Sequence, residues 1–533
     1  MNILNQKRAN KKTSNPFSKN GNNPADIIIS SLGSCWLIGG ALRDAFLKKK
    51  FSDLDIVLEP SANLKQKIIS LAKKLNASAF EMDAENHVWR LTGHGDSHFQ
   101  IDILPFQGKT LQEDIMRRDF TANALALKLE PDTPLKYLPE KSLFSLRLQK
   151  KKLIDLCGGI KDLQAGRLAM VSDNIFREDP LRMLRAYRLA ASHGLKISKK
   201  TLRMIKRDAR LIKNSAGERI REELMKIFAR EDSCAYIKKM NSSGLLFEIF
   251  PELAAQPGCA TDYYGKGGVL KHTLTVLERT DLLFARIKEF CPSYKKLANY
   301  IDLKQPAIYK LTALLHDVAK PAKAAMIGER LRFFGHEECG AKMARAILER
   351  LHFSKEDIKL ITSVIGSHLR PGNLAVNTVI SERAMFRLFR AMGNALMPLL
   401  ILCWADYASY ITLARLEKTK SVLPKMPDET DVTKLPYNSP KKTMRFMQAI
   451  YMLARTYMEK SPQLSGKTLA DGNDIMRELK IKPGPEIGII LEQMKMLQFE
   501  GKIKSRQEAL LWLKNMAGKK NKHSIKKSKT RKI

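Results

Sequence analysis

Leu37-Ile-Gly-Gly-Ala-Leu-Arg-Asp44 is followed, eleven residues after Gly40, by Phe51-Ser-Asp-Leu-Asp-Ile-Val-Leu58. The first stretch predicts an apolar strand that meets two glycines, Gly39 and Gly40, and then a helix. Free N–H groups at a helix start can face an anion, and Arg43 adds a fork of donors for phosphate oxygens. Taken alone, a tight turn followed by an arginine on a helix surface explains this stretch as well.

The second stretch places two acids at the start of a predicted strand. Because side chains alternate between the faces of a strand, Asp53 and Asp55 share one face while Leu54 and Ile56 turn into the core. Two converging carboxylates repel each other unless a cation joins them, so the spacing favours Mg²⁺ and phosphoryl transfer. A later predicted strand offers Asp102 as a third metal ligand. Solvated acids at the ends or faces of strands are the alternative for all three.

The charge of the chain indicates a polyanionic partner. It has 93 Lys and Arg against 55 Asp and Glu, a formal net charge of +38, whose simplest meaning is nucleic acid. An acidic membrane surface is the rival, but the longest apolar run, 395–405, is shorter than the ~20 residues that span a bilayer. We therefore predict no membrane segment. Seven cysteines without C-x-x-C spacing and a start without a signal-peptide core favour the cytoplasm.

The periodicity predicts an α+β fold, with a small mixed-sheet head on a long all-α body. The predicted organisation is a disordered basic tail at 1–24, a head at 25–165, a helical neck at 166–255, a metal-binding helical domain at 256–417, a linker at 418–442, a C-terminal helical domain at 443–517 and a disordered basic tail at 518–533. Both tails lack acids and have too little apolar surface to offset the entropy of ordering.

Four motifs in order carry a resemblance to a known family. G-G-x-x-R-D and D-x-D are followed by Arg117-Arg-Asp-Phe-Thr-Ala-Asn-Ala124 and by Glu178-Asp-Pro-Leu-Arg-Met-Leu-Arg-Ala-Tyr-Arg188. This order resembles the tRNA nucleotidyltransferase and bacterial poly(A) polymerase family, the class II branch of the polymerase-β-like nucleotidyltransferases. The resemblance continues through Gly244-Leu-Leu-Phe-Glu-Ile-Phe-Pro-Glu252 and Pro483-Gly-Pro-Glu-Ile-Gly488, and the last segment is expected of the tRNA-directed members.

The resemblance implies roles for the matching positions. Gly39, Gly40 and Arg43 would hold the phosphates of ATP or CTP, Asp53 and Asp55 the catalytic Mg²⁺. The residues that would hold the nucleotide and the geometry of its pocket are Arg117, Arg118 and Asp119. In the reaction, the 3′-hydroxyl of an RNA attacks an α-phosphate and pyrophosphate leaves.

In the family, the helix of the fourth motif reads the incoming base. Asp179 and Arg182 match the acceptor and donor pattern of C and A, whereas G and U present the wrong donors. On one continuous helix, Glu178, Arg182 and Arg185 would share a face, and Arg185 and Arg188 would support the acidic pair or contact the triphosphate. A salt-bridged surface helix, with Asp179 paired to Arg182, is the structural alternative.

A second cluster lies in the helical body. Its ligand-type residues are spaced in an order that resembles the HD phosphohydrolase superfamily, notably Leu-Leu-His-Asp-Val-Ala-Lys320. Neutral imidazole with carboxylate suits a transition divalent cation of unknown identity. The predicted ligands are His272, His316, Asp317, His336, His368 and Asp406, a set larger than the minimal H…HD…D pattern and compatible with a second metal.

The resulting prediction is a template-independent enzyme that builds or repairs the CCA end of tRNA, with NTPs and tRNA as partners. A poly(A) polymerase and a partial CC-adding or A-adding enzyme remain alternatives within the same chemistry. From another class, a metal-dependent phosphohydrolase with an RNA-docking head and a non-catalytic RNA-binding protein also remain. The sequence leaves the oligomeric state and the activity of the HD domain open.

Overall fold

The computed structural model describes Phe17 and residues 23–94, 98–291, 294–303, 306–377, 379–419 and 440–529. Most of the predicted linker 418–442 and of the predicted N-terminal tail therefore lies outside the described residues. The chain divides into two units. The first comprises Met1–Glu223 and Lys239–Ile249, and the second comprises Leu224–Lys238 and Phe250–Ile533.

The first unit is built on a mixed sheet. Its strands are β1 Cys35–Ile38, β2 Asp53–Leu58, β3 Ala77–Asp83, β4 Val88–Gly93, β5 Gln100–Pro105, β6 Leu125–Lys128, β7 Leu135–Leu138, β8 Leu143–Leu146 and β9 Leu153–Asp155. Seven of them form one sheet in the order β3-β4-β5-β2-β1-β6-β9, while β7 and β8 pair separately. Only β2 and β5 are parallel neighbours within the seven-stranded sheet.

The alternation of β2 and β5 explains where the acids lie. Leu54 and Ile56 on β2 are buried. The parallel register pairs Asp55 with Asp102 and Asp53 with Gln100. Because directly paired residues of neighbouring strands point to the same side of a sheet, all three predicted acids lie on one face.

Five helices accompany this sheet, namely α1 Pro24–Leu32, α2 Gly40–Phe46, α3 Leu64–Leu75, α4 Leu111–Met116 and α5 Gly159–Gln164. Phe17, inside the predicted basic tail, is buried against the rings of Phe99, Tyr137 and Phe144, with centroids 5.2, 5.1 and 5.7 Å away. Composition averaged over the tail hides this single aromatic anchor.

Short strands and helices follow the sheet. They are β10 Arg167–Leu168, α6 Ile175–Glu178, α7 Arg182–His193, β11 Lys196–Ile197, α8 Lys199–Asp208, α9 Gly217–Phe228, α10 Ser233–Ser242 and α11 Leu245–Ile249. The prediction of one continuous helix through Glu178 and Arg182 is wrong, because α6 ends at Glu178 and α7 begins at Arg182. Asp179 is extended (φ −143°, ψ 100°), as expected for a residue that precedes a proline.

In its described residues, the second unit is helical apart from one hairpin, β12 Ala325–Ile327 with β13 Arg330–Arg332. Its helices after residue 250 are α12 Thr261–Tyr264, α13 Gly268–Ala285, α14 Ile287–Phe290, α15 Tyr294–Leu297, α16 Ala307–Leu315, α17 His336–Arg350, α18 Lys355–Ile365, α19 Arg370–Ala375, α20 Glu382–Met392, α21 Leu396–Ser409, α22 Leu413–Thr419, α23 Pro440–Ser465, α24 Gly472–Leu479, α25 Pro485–Phe499 and α26 Arg506–Lys529. The predicted α+β class, a mixed-sheet head and a helical body, is confirmed.

Two features of this unit bear on the sequence predictions. Helix α26 extends to Lys529, into the segment 518–533 that was predicted to be disordered, and its lysines are favourable helix formers. The segment Glu382–Ser409 is long and apolar enough to cross a membrane, but 72% of its most apolar window is buried inside the protein. Leu399 and Ala405 in this segment belong to the core that α13 and α23 share.

Candidate active site and metal centre

The two acids of β2 share one face of the sheet, where Asp53 is exposed and Asp55 is half-buried. In the described part of the chain, neither carboxylate accepts a hydrogen bond. Burial raises the pKa of Asp55 to about 6; the Arg118 charge opposes this rise, and the Asp102 and Asp53 charges add to it. Carboxylates that crowd together without donors fit a divalent cation, which would stabilise their charged forms.

Asp102 has a different environment from the other two acids. Its oxygens accept two hydrogen bonds from Arg90, Nε to Oδ1 and Nη2 to Oδ2, each 2.8 Å long. The amide of Gln100 lies 3.3 Å from Oδ2. Sequence reasoning missed Arg90, because only the antiparallel pairing of β4 with β5 brings it opposite Asp102.

The glycine turn lies beside Asp55. Gly39 has a positive φ of 71°, and a Cβ there would lie 3.3 Å from both Oδ2 of Asp55 and Nη1 of Arg118. Glycine therefore suits this position for conformation and for space.

Arg43, predicted to bind phosphate, is buried at 7% exposure. Its guanidinium donates through Nε to Asp44 (2.9 Å) and through Nη1 to Asn123 (2.6 Å). In this conformation Arg43 joins helix α2 to the short turn Thr121–Asn123. Its contact with phosphate stays a prediction.

The Arg-Arg-Asp motif lies next to this turn. Arg118 donates to the buried carboxylate of Asp114 (2.9 Å), and Arg117 donates to the carbonyl of Gln107 (2.6 Å). The two arginines are therefore held by residues of the loop and helix just before them in the chain. Asp114 was missed by sequence reasoning.

Asp119 is buried and fully hydrogen-bonded. One oxygen accepts from the amide of Phe120 and the side chain of Asn123, and the other accepts from Arg185. Burial alone would raise the pKa of Asp119, but the Arg185 charge and these hydrogen bonds outweigh burial and lower that pKa. Asp119 thus supports the site as an ionised anchor.

The predicted base-reading residues make separate pairs. Arg182 donates to Glu178 (3.1 Å) and to the carbonyl of Arg117 (3.0 Å), while Asp179 accepts from Arg219 (3.1 Å). The alternative in which Asp179 pairs with Arg182 is wrong.

The expectation that Arg185 and Arg188 support Glu178 and Asp179 is also wrong, whereas their expected contact with the triphosphate stays a prediction. Arg185 binds Asp119, and Arg188 binds Glu223 at 2.5 Å. Glu178 still accepts from Arg182, the first residue of α7, but beyond the break Arg185 and Arg188 bind other acids.

A cleft of about 340 Å³ gathers most of the predicted nucleotide-binding residues. Its walls combine guanidinium groups, carboxylates and the side chain of Leu104. The lining residues are Leu104, Gln107, Asp114, Arg117, Arg118, Asp119, Asp179, Arg182 and Arg185. Donors and acceptors in one cleft can hydrogen-bond a polar planar group and an anion together.

The second unit brings all six predicted metal ligands together around Asp317. Oδ2 of Asp317 lies 3.3 Å from Nε2 of His272 and 3.1 Å from Nε2 of His316. Oδ1 lies 3.4 Å from Nε2 of His336 and 3.8 Å from Nε2 of His368. Asp406 completes the cluster, with Oδ1 3.2 Å from Nε2 of His272.

The outer nitrogens of these rings have partners of their own. Nδ1 of His316, His336 and His368 lies 2.7–2.8 Å from a backbone carbonyl three residues earlier. Nδ1 of His272 lies 3.2 Å from the hydroxyl of Ser409. A histidine that donates through Nδ1 offers the lone pair of Nε2 to a metal.

Polar atoms that face the centre lack hydrogen-bond partners although they are buried. They include Nε2 of His272 and His316, Oδ1 of Asp317 and Oδ1 of Asp406. Two groups have ligand atoms within 4.8 Å of one another, His272-His316-Asp406 and Asp317-His336-His368. Nitrogen and carboxylate donors in this arrangement fit a divalent transition metal, with room for a pair.

Lys320 and Tyr264, which sequence reasoning did not assign, border this centre. Nζ of Lys320 lies 2.6 Å from Oδ2 of Asp317 and 2.8 Å from the hydroxyl of Tyr264. Burial alone would raise the pKa of Asp317, but the His316 and Lys320 charges hold it well below its usual value. Burial lowers the pKa of His368 to about 4, which favours the neutral ring that a metal needs.

Three family models match successive parts of the chain. Residues 35–169 match the poly A polymerase head domain, and residues 194–256 match the probable RNA and SrmB-binding site of polymerase A. Residues 269–411 match the HD domain.

Relatives align along nearly the whole chain. A CC-adding tRNA nucleotidyltransferase of Thermus thermophilus is 27% identical, over 89% of this chain and 92% of its own. An A-adding tRNA nucleotidyltransferase of Deinococcus radiodurans is 26% identical, over 90% and 95%. Among solved structures, the Thermotoga maritima CCA-adding enzyme complexed with tRNA shares the fold, with a TM-score of 0.55 and 19% identity over 92% of this chain and 93% of that one.

Proposed function

Because the chain belongs to the tRNA nucleotidyltransferase and poly(A) polymerase family and carries an HD domain, we propose that it adds CMP and AMP to the 3′ end of tRNA. The observation that carries this proposal is the pair Asp53 and Asp55. Their carboxylates share one face of the sheet without hydrogen-bond donors in the described part of the chain, and Arg118, which neighbours Asp55, also lines the cleft of guanidinium and carboxylate groups.

Each group of the site has a task in this reaction. Mg²⁺ held by Asp53 and Asp55 would supply positive charge at the α-phosphate and at the attacking 3′-hydroxyl. Arg118, next to Asp55, is placed to attract the triphosphate of ATP or CTP. The glycine turn at Gly39 keeps side chains away from the acids, and Asp119 with Arg185 fixes the wall of the cleft.

Base choice is assigned to Asp179 and Arg182. Both line the cleft, and each is held by a partner other than the second member of the pair, so their orientation is set before a base arrives. Two relatives that align over 89% and 90% of this chain are a CC-adding and an A-adding enzyme. A partial activity of either kind is therefore the nearest alternative to full CCA addition, and poly(A) synthesis is the next.

A second activity, phosphoester hydrolysis, is favoured by the histidine cluster. Six ligand-type residues converge in one buried centre, and four imidazoles are oriented through their Nδ1 atoms. A transition divalent metal bound there would activate water for attack on a phosphoester. Lys320 beside Asp317 would balance the charge of this centre.

The remaining assignments follow from the reaction. The residues 443–517 are proposed to bind tRNA, since the C-terminal motif Pro483–Gly488 belongs to the tRNA-directed resemblance. We assign the protein to the cytoplasm, where tRNA is processed and where its seven cysteines would stay reduced.

The experiment that tests the proposal separates chemistry from RNA binding. We expect Asp53→Ala and Asp55→Ala to abolish extension of a tRNA lacking CCA, with CTP and ATP supplied, while the dissociation constant for tRNA changes little. Glu59→Ala, an exposed acid just after β2, is the matched control and should keep wild-type activity. Extension by either aspartate variant at the wild-type rate would refute the assignment.

A further inference from the structure

Three charged side chains form a row across neighbouring strands of the head. Arg90 on β4 is directly opposite Asp102 on β5, and Asp102 is directly paired with Asp55 on β2. Paired residues project from the same face of a sheet, so a cation, an acid and a second acid follow one another across this surface. Asp53 lies on the same face, two residues before Asp55.

The hydrogen bonds divide the three acids into two kinds. Asp102 accepts both nitrogens of the Arg90 fork at 2.8 Å, one on each oxygen, and a third donor from Gln100. Asp53 and Asp55 accept no hydrogen bond in the described part of the chain. Asp102 is therefore already neutralised by a hydrogen-bonded guanidinium, whereas Asp53 and Asp55 have no hydrogen-bonded cation, although Arg118 lies near Asp55.

Moving Asp102 onto a metal would have a cost. It would break two charge-assisted hydrogen bonds and leave Arg90, a partly buried side chain with 29% exposure, facing the metal without its carboxylate. A guanidinium and a divalent cation would then repel each other across the row.

We propose that Arg90 is a positioning residue that keeps Asp102 out of the metal coordination, so that Asp53 and Asp55 are the carboxylates of this row that hold the metal. This inference rests on the proposed metal site at Asp53 and Asp55. Its consequence is that Arg90 sets the charge of the site, since its removal would convert a two-carboxylate site into a three-carboxylate site.

The test measures binding of Mn²⁺ to the full-length protein by the electron paramagnetic resonance signal of free Mn²⁺. The HD centre would also bind Mn²⁺ if it holds divalent metals, so the manganese that Asp55→Asn retains is subtracted from the manganese bound by each of the other proteins. We expect Asp102→Asn to bind within about threefold of the wild type, because a residue that is not a ligand adds little to affinity. Arg90→Met should bind about tenfold more tightly, because the ligand set gains a charge.

Two further variants keep the proposal falsifiable. Arg90→Met with Asp102→Asn should return to wild-type affinity, since the two residues act as one unit. Arg90→Lys, which retains the charge, should stay near the wild type. A melting curve for each variant identifies one that fails to fold, and the remaining members of the series then decide.

Failure of the proposed metal site and failure of the role of Arg90 give different results. If Asp55→Asn binds as much Mn²⁺ as the wild type, the proposed metal site itself is wrong. If Asp55→Asn loses the site and Asp102→Asn loses it equally, Asp102 is a ligand and only the role of Arg90 is refuted. Weaker binding by Arg90→Met would also overturn the inference, because it would mean that the pair supports the coordination.

Discussion

Nε and Nη2 of Arg185 both bind Oδ2 of Asp119, at 2.9 and 2.8 Å. The other oxygen of Asp119 accepts from Asn123, which in turn accepts from Arg43. One buried carboxylate thus connects helix α7, which carries Arg182, to the helix that follows the glycine turn. Asp119 and Arg185 both line the proposed nucleotide cleft, so we expect its geometry to depend on this connection.

Replacing Arg185 tests that dependence. Arg185→Met leaves Asp119 buried without its cation, and breaking a fully buried pair costs about 3–5 kcal/mol. Since the Arg185 side chain keeps 37% exposure, we expect a smaller loss of about 2 kcal/mol in the free energy of unfolding. Chemical denaturation measures this loss. Adding Asp119→Asn to Arg185→Met should recover part of it, because the unpaired charge is removed.

The control for this prediction is Arg177→Met, which removes an exposed arginine 3.9 Å from Asp208. Because Arg177 is exposed and Asp208 keeps its 2.6 Å bond to Arg207, we expect the loss in the free energy of unfolding to stay below about 1 kcal/mol. If Arg177→Met and Arg185→Met lower the free energy of unfolding equally, the bond between Arg185 and Asp119 stabilises the protein no more than the control contact does.

Base discrimination should depend on Asp179 and Arg182 together. Replacing both with alanine removes the polar contacts proposed for C and A, each worth about 1–3 kcal/mol of discrimination, so UTP or GTP should compete detectably. Incorporation of all four NTPs measures the change. Arg219→Ala is the matched control for structure, because it removes the partner that holds Asp179 but leaves both base-reading groups.

Melting curves complete the comparison. Preserved selectivity, with a melting temperature that falls sharply in the double variant, would return Asp179 and Arg182 to a structural role. That structural role would not be an ion pair between Asp179 and Arg182. Each of the two residues binds a different partner.

The histidine cluster makes a prediction about composition as well as activity. His316→Ala and Asp317→Ala should remove bound transition metal and any phosphodiesterase activity, because Asp317 lies between both groups of ligands. Nucleotide addition should persist, since its residues belong to the other unit. Elemental analysis of the purified variants gives the answer, with the exposed His87→Ala as control. Unchanged metal content in both variants would contradict the assignment.

Strand alternation predicted the shared face of Asp53 and Asp55, and the resemblance to the HD superfamily predicted the convergence of the histidines; their roles as metal ligands stay predictions. The strand alternation of Asp53 and Asp55 needed no tertiary information, and the order of the histidines pointed to one centre. Partners from other strands could not be predicted in this way. Arg90 reaches Asp102 through antiparallel register, and Arg219 reaches Asp179 from another helix, so both depend on pairings that local patterns do not encode.

The break at Asp179 and Pro180 shows that a strong local pattern can also predict too long a helix. The helical period from Glu178 to Arg188 is strong, and it led to one continuous helix with acids and arginines on one face. The proline restricts the backbone of Asp179 to the extended region and ends α6. Asp179 therefore binds Arg219 rather than a residue of α7. Arg185 and Arg188 bind Asp119 and Glu223 instead.

Extension of defined tRNAs tests the central claim most directly. Three tRNAs, ending before the CCA sequence, after its first C and after its second C, are each incubated with one NTP at a time and resolved on a sequencing gel. We predict addition of C to the first two and of A to the third, or one part of this pattern if the enzyme is specialised, with no addition of U or G. Failure to extend any of the three, or equal use of all four nucleotides, would contradict the account.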